Sequence, residues 1–151
     1  MDYTAYNQKP LEQTVGFAAG AWDLFHAGHV LFLREARSLC DSLVVGLHAN
    51  PASERQNKNK PIQTMYERYL QLDACRYVDS IIPYETEEEL IQILKTQLID
   101  VRFLGSDYAG VDDKFITGYN ITPITFIDRN HGYSSSELRL RIAKNIYSKT
   151  E

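Results

Sequence analysis

Only two cysteines occur in the 151 residues, Cys40 and Cys75, and neither stands in a Cys-x-x-Cys pair or beside a histidine. A disulfide framework and a thiolate metal cluster are therefore excluded, and both thiols are expected to be small buried apolar groups in a reducing compartment. No apolar run approaches the ~18 residues that a membrane span requires. The opening residues 1–13 are polar and lack the apolar centre of a signal peptide, so a cytoplasmic location is expected. An excess of positive charge is missing as well. Against 20 Asp and Glu stand 16 Lys and Arg, a net charge of −4, which argues against general nucleic-acid binding but leaves room for a local basic pocket. Repeats, low-complexity blocks and a second composition regime are absent. The expectation is one domain over residues 14–151 behind a polar leader over 1–13.

What is present is enough apolar residue, 44% of the chain, to bury a core without staples. Short apolar runs of strand length occupy residues 14–22, 42–48, 78–84, 100–105 and 121–127. Between and after them, residues 30–40, 64–77, 86–98 and 134–147 carry apolar residues at helical spacing. Thr64 is placed as an N-cap, while Thr86 with Glu89 and Ser134 with Glu137 stand at capping-box spacing. The stripe Leu90, Ile93, Leu94 and Leu98 is assigned to the core. Strand and helix alternate throughout, so the fold class is α/β: a Rossmann-like, doubly wound parallel sheet in a single domain. Ligands of such sheets bind at the carboxyl ends of the strands. The polar segments "AWDLFHAGH", "HANPASERQNKNK", "GSDYAG" and "DRNHGYSSS" each follow a strand and open on that one edge.

Two histidines, His26 and His29, flank Gly28 where the first strand gives way to a helix. Zinc suits them poorly, because no third ligand such as Cys or Glu is near in sequence. A phosphate suits them better. A helix N-terminus offers unsatisfied amides and partial positive charge, Gly28 lets backbone approach closely, and imidazoles donate to oxygens that gain charge. Both are expected on an exposed loop. Lys58 and Lys60 by themselves read equally as solvated loop lysines, Arg76 and Asp79 as a local ion pair, and Ser134, Ser135 and Ser136 as a helix cap. His48 and His131 sit in polar loops at strand ends and stand as further candidates.

The stretch "GAWDLFHAGHVLFLREAR" resembles the signature of the cytidylyltransferases of the HxGH nucleotidyltransferase superfamily, in particular those acting on glycerol 3-phosphate, ethanolamine phosphate and choline phosphate. "KNKP", "ERYLQLDACRYVDSIIP" and "DRNHGYSSSELRLRI" follow in the family's order, so the likeness runs over residues 15–142. The resemblance implies an enzyme that transfers a cytidylyl group from CTP to a small phosphate monoester, with Mg²⁺, in a homodimer. It implies catalytic roles for His26, His29, Lys58 and Arg129. It implies nucleotide contacts at Ala21, Trp22, Asp23, Gly28, Lys60, Arg68, Arg76, Asp107, Gly132, Tyr133, Ser134, Ser135 and Ser136. Asp23 would hold its loop and help place the metal, and no residue is assigned as a resident metal ligand. Arg76 would reach a phosphate site or a two-fold axis.

Asn130, His131 and Tyr133 depart from the family's closing motif, as do Tyr108 and Asn50 elsewhere, and these departures bear on the acceptor. No Ser-His-Asp or Cys-His arrangement is evident, in keeping with direct displacement. Two alternatives stand beside this reading: an adenylyltransferase using ATP and a sugar phosphate, and a nucleotide-binding module without catalysis.

Overall fold

The computed structural model describes residues 13–148, so the expected leader lies outside the described residues except for Gln13. Five strands pair in parallel in the order β3-β2-β1-β4-β5: β1 (Val15–Gly20), β2 (Ser42–His48), β3 (Ser80–Tyr84), β4 (Val101–Gly105) and β5 (Ile124–Ile127). Four α-helices accompany them: α1 (Ala27–Ser38), α2 (Met65–Asp73), α3 (Glu87–Thr96) and α4 (Ser135–Tyr147). The α/β, Rossmann-like architecture read from the sequence is the one observed.

Strand alternation divides the core into two layers. Ala18, Leu43, Val45, Leu47 and Phe103 pack against Leu33 and Ala36 of α1 and Leu72 of α2. On the other face Phe17 and Tyr84 meet Leu90, Ile93 and Leu94 of α3, with Val44 against them. Gly46 is required in that layer, since a Cβ there would come within 2.7 Å of the Phe17 ring. Cys40 is buried, Cys75 is half-buried, and both are free.

The amino edge of the sheet is closed by carboxylates. Asp41 accepts from Thr14 N at 2.8 Å, Asp79 from Leu43 N at 2.7 Å and Asp100 from Val15 N at 2.7 Å. The carboxyl edge carries the polar loops.

Three expectations change in detail. Helix α3 stops at Thr96 because Gln97 turns to extended backbone (φ −84, ψ 147), which carries Leu98 out of the core stripe to 58% exposure. Helix α2 ends at Asp73, and the stretch to residue 79 is a turn entering β3. Thr86 and Ser134 do cap their helices by accepting from Glu89 N and Glu137 N, but the return bond of a full capping box forms at Thr64 with Glu67. At Thr86 the Glu89 carboxylate turns instead to Glu85 N, at 2.6 Å. Among the described residues no helix is long and apolar enough to cross a membrane.

Candidate active site

Chain order reverses between β1 and β4, so the loops leaving these two strands diverge and open a crevice. A cavity of about 910 Å³ fills it. Its floor is the loop after β1, which takes a strained path: Trp22 and Leu24 have φ of 54° and 51°. Side chains rarely adopt this left-handed region, and each such residue costs about 1–3 kcal/mol. The surroundings hold the loop there. Trp22, 6% exposed, donates from its indole nitrogen to Gly46 O at 3.0 Å. The Asp23 carboxylate accepts from Ile62 N, Gln63 N and Arg139 Nη2, each at 2.9 Å, and Leu24 N donates to Gln63 Oε1 at 2.7 Å. Burial would raise the Asp23 carboxyl, but the two amides and the Arg139 guanidinium more than offset it and hold the group below its ordinary range. Asp23 therefore ties β1's loop to the approach of α2 and to α4. With three donors on it, this carboxylate is committed to the loop rather than to a metal.

His26 is the N-cap of α1, and its Nδ1 accepts from Gly28 N at 3.0 Å. His29, three residues on, returns the bond: His26 N donates to His29 Nδ1 at 3.4 Å. Both rings thus spend Nδ1 as an acceptor, which places the proton of each neutral imidazole on Nε2 as a donor. The rings stack with centroids 3.9 Å apart, and His29 is further enclosed by Phe25 at 5.6 Å and Trp22 at 5.3 Å. Both are half-buried rather than exposed as the sequence led us to expect, because aromatic neighbours fold over them. Burial pushes the His29 pKa down to about 3, helped by His26 and Arg129, and burial with Arg129 and His131 lowers His26 too. At neutral pH the pair is uncharged and presents two N–H donors. His131, a secondary candidate in the sequence, joins them; a Cβ on Gly28 would meet the His131 and His26 rings and Tyr133 O, each at 2.9 Å.

Other expected residues arrive from three loops. Lys58 Nζ lies 3.4 Å from Tyr108 Oη and bridges the loops after β2 and β4. Arg129 Nη1 is 3.4 Å from Asp107 Oδ2, and its amide donates to Ser106 Oγ at 3.1 Å. Ser134 caps α4, while Ser135 Oγ donates to Asp23 O at 3.2 Å. Ala21, Trp22, Asp107, Tyr133 and Ser136 line the same cavity.

Four expected contacts are placed elsewhere. Arg68 is 2% exposed and donates to the carbonyls of Ala21, His48 and Ala49 at 2.7–2.8 Å, so it positions the ends of β1 and β2 rather than reaching a ligand. Lys60 and Gly132 are not among the cavity-lining residues, and a Cβ on Gly132 would meet nothing within 4 Å. Arg76 stands before β3, a strand's length from the cavity edge, and is exposed. Its expected partner Asp79 pairs with Arg37 at 2.8 Å instead.

The structure adds residues that the sequence reading did not single out. Arg139 completes the Asp23 cluster, and Arg55, Tyr84, Glu87 and Arg102 line a deeper arm of the cavity. His48, Glu54 and Glu87 bring one nitrogen and two carboxylate oxygens within 4.8 Å of one another, a group able to hold a metal ion. Mg²⁺ prefers oxygen ligands and substrate phosphates. Asp107 and Asp128, both on the cavity wall, offer oxygens alone and fit that preference better than a set that includes an imidazole.

With this geometry in place, comparison with known proteins is decisive. The profile of the cytidylyltransferase-like family matches residues 17–141. The chain belongs to that family. Among curated relatives, a probable ethanolamine-phosphate cytidylyltransferase of Encephalitozoon cuniculi is 35% identical over 122 residues, covering 78% of this chain and 38% of that protein. The bifunctional protein HldE of Campylobacter jejuni is 31% identical over 134 residues, covering 86% of this chain and 28% of that protein. A lipopolysaccharide core biosynthesis protein from Thermoplasma volcanium superposes with a TM-score of 0.57 at 26% identity, covering 81% of this chain and 99% of that one. This cytidylyltransferase-like chain thus spans well under half the length of the curated relatives it matches, and what it shares with them is the domain that carries the histidine pair.

Proposed function

We propose that this cytidylyltransferase-like domain transfers a cytidylyl group from CTP to a small phosphate monoester and releases pyrophosphate. The observation that carries the reading is the pair of neutral imidazoles, each with Nδ1 engaged and Nε2–H left as donor, at the N-terminus of α1 in the switch-point crevice. An oxygen of the acceptor phosphate attacks the α-phosphorus in line, and pyrophosphate departs on the opposite side. Such a displacement needs two polyanions held together and the growing equatorial charge stabilised. His26 and His29 donate to the α-phosphate oxygens. Lys58 and Arg129, from opposite walls, draw the two polyanions together, and the amides at the start of α4 receive the outer phosphates. Asp107 or Asp128 would offer the oxygen ligand for a Mg²⁺ carried by the triphosphate, and the ion would offset part of the triphosphate's charge.

The relatives named for ethanolamine phosphate support a small phosphate monoester as acceptor and CTP as donor. Pyrophosphate release measured for CTP, ATP, GTP and UTP against a panel of phosphate monoesters tests this: CTP is expected to be preferred, and turnover with ATP alone would transfer the reading to the adenylyl branch.

The domain acts as a homodimer in this proposal. Exposed apolar side chains of α2 and its approach, Ile62, Tyr66 and Leu70 at 63%, 70% and 46% exposure, support it, with Arg76 on the turn that follows. A self-complementary two-fold contact makes each favourable pairing twice. Sedimentation at micromolar concentration should give a dimer, shifted toward monomer by Tyr66→Glu; a fully active monomer would contradict this.

A further inference from the structure

The cavity does not end at the histidines. A deeper arm runs along the face of the sheet covered by α3, lined by Tyr84, Arg55, Glu87, Arg102 and Thr117. Arg102 lies in register with Phe17, whose ring belongs to that layer. Its Cα is three residues below Gly105, about 10 Å beneath the strand end where Arg129 and Asp107 stand.

Arg102 is 4% exposed, and its Nη1 donates to Thr117 O. Its Nε is buried without a hydrogen-bond partner. Glu87, the carboxylate that acts on it, gives one oxygen to Arg55 Nη2 at 2.8 Å and to the Thr117 hydroxyl. Among the described residues Arg102 makes no ion pair, whereas Arg55 beside it has Glu87. Burial depresses the guanidinium's pKa, with Tyr84 and Glu87 pulling the other way, and burial pushes the Tyr84 phenol up, so its hydroxyl stays a neutral donor. A guanidinium removed from water without a counter-ion is costly. The Nε without a partner leaves one edge of this guanidinium's planar fork for an oxyanion from the cavity, and a carboxylate suits it.

We propose that Arg102 receives a carboxylate carried by the acceptor at the end remote from its reacting phosphate, so that the preferred acceptor is a short phosphate monoester that is also a carboxylic acid. This rests on the cytidylyl-transfer reading above and narrows its substrate class. The acceptor then spans the two arms: its phosphate lies among Lys58 and the histidines, and its acid group lies beneath Ala19 against Arg102 and the Tyr84 hydroxyl. Arg102 is a specificity residue and takes no part in the displacement.

The test uses two acceptors that differ in one group, 3-phosphoglycerate and glycerol 3-phosphate, binding to the protein loaded with Mg²⁺ and α,β-methylene CTP, so that turnover is not required. Calorimetry should show 3-phosphoglycerate binding at least roughly tenfold more tightly, the scale of one charge-assisted hydrogen bond. Arg102→Met should erase that advantage while leaving glycerol 3-phosphate and the CTP analogue bound as before. Arg102→Lys should retain part of it. Equal affinity of the wild type for the two acceptors would overturn the proposal. So would loss of both acceptors together in Arg102→Met and Arg102→Lys, which would reduce Arg102 to a support for the loop at Thr117. A wild type that binds the CTP analogue yet prefers glycerol 3-phosphate refutes only the role of Arg102, whereas one that binds no CTP analogue refutes the transfer reading as well.

Discussion

Acidification should destabilise this domain through His29. In the fold its pKa is pushed down to about 3, whereas in the unfolded chain it returns to the ordinary value of 6.5. Between those values the unfolded state binds a proton that the native state refuses, so stability falls as pH falls below 6.5. From pH 7 to pH 5 this one group removes about 2 kcal/mol. For a domain of this size that corresponds to a fall in Tm of about 4–8 °C. The control is His29→Gln, since glutamine at the third helical position can still accept from the His26 amide as a capping box does, yet does not titrate. Melting followed by circular dichroism at pH 7 and pH 5 gives the comparison. His48, also lowered by burial and distant from the stacked pair in sequence, remains in both proteins and cancels in the difference. If wild type and variant lose the same Tm on acidification, His29 is not the buried neutral donor described here.

Further expectations concern the site and its supports. His26→Asn keeps an acceptor at the N-cap and should change stability little, while kcat drops roughly 10²–10³-fold, the scale for one transition-state donor; a variant that turns over normally would remove His26 from the chemistry. Lys58→Ala should leave Tm unchanged and weaken CTP binding, measured by calorimetry, because among the described residues its ammonium reaches only Tyr108. Arg139→Met takes one of three donors from Asp23 and should cost about 2 kcal/mol in urea unfolding, with the Asp23 carboxyl rising toward its ordinary pKa in a carboxylate NMR titration. Unchanged stability would mean that the amides of Ile62 and Gln63 suffice.

The alternation of strands and helices was legible because it is a local signal: Leu43, Val45 and Leu47 show period two, and Leu90, Ile93 and Leu94 show helical spacing, whatever the rest of the chain does. The histidine pair was legible for a related reason, since a strand end followed by a helix start fixes where such a motif lies. What the sequence concealed depends on contacts between distant residues. Arg68 carried the family's signature, yet its guanidinium is spent on carbonyls 19 to 47 residues away. Arg139 meets Asp23 across 116 residues, and nothing in a helical run of charged residues marks which arginine turns inward. Arg102 sits in an apolar strand, where the pattern shows an interruption but not the unpaired guanidinium behind it. Leu98 obeyed the helical period and failed only because the helix ended two residues earlier.

Direct transfer of the cytidylyl group is the central claim, and a single-turnover experiment with α-labelled CTP, Mg²⁺ and a phosphate monoester tests it most directly. Label should pass into a CDP-linked product in step with one equivalent of pyrophosphate, with none retained on the protein after quenching. Label held covalently by the protein would contradict direct displacement, and CTP that binds but returns intact would contradict catalysis itself.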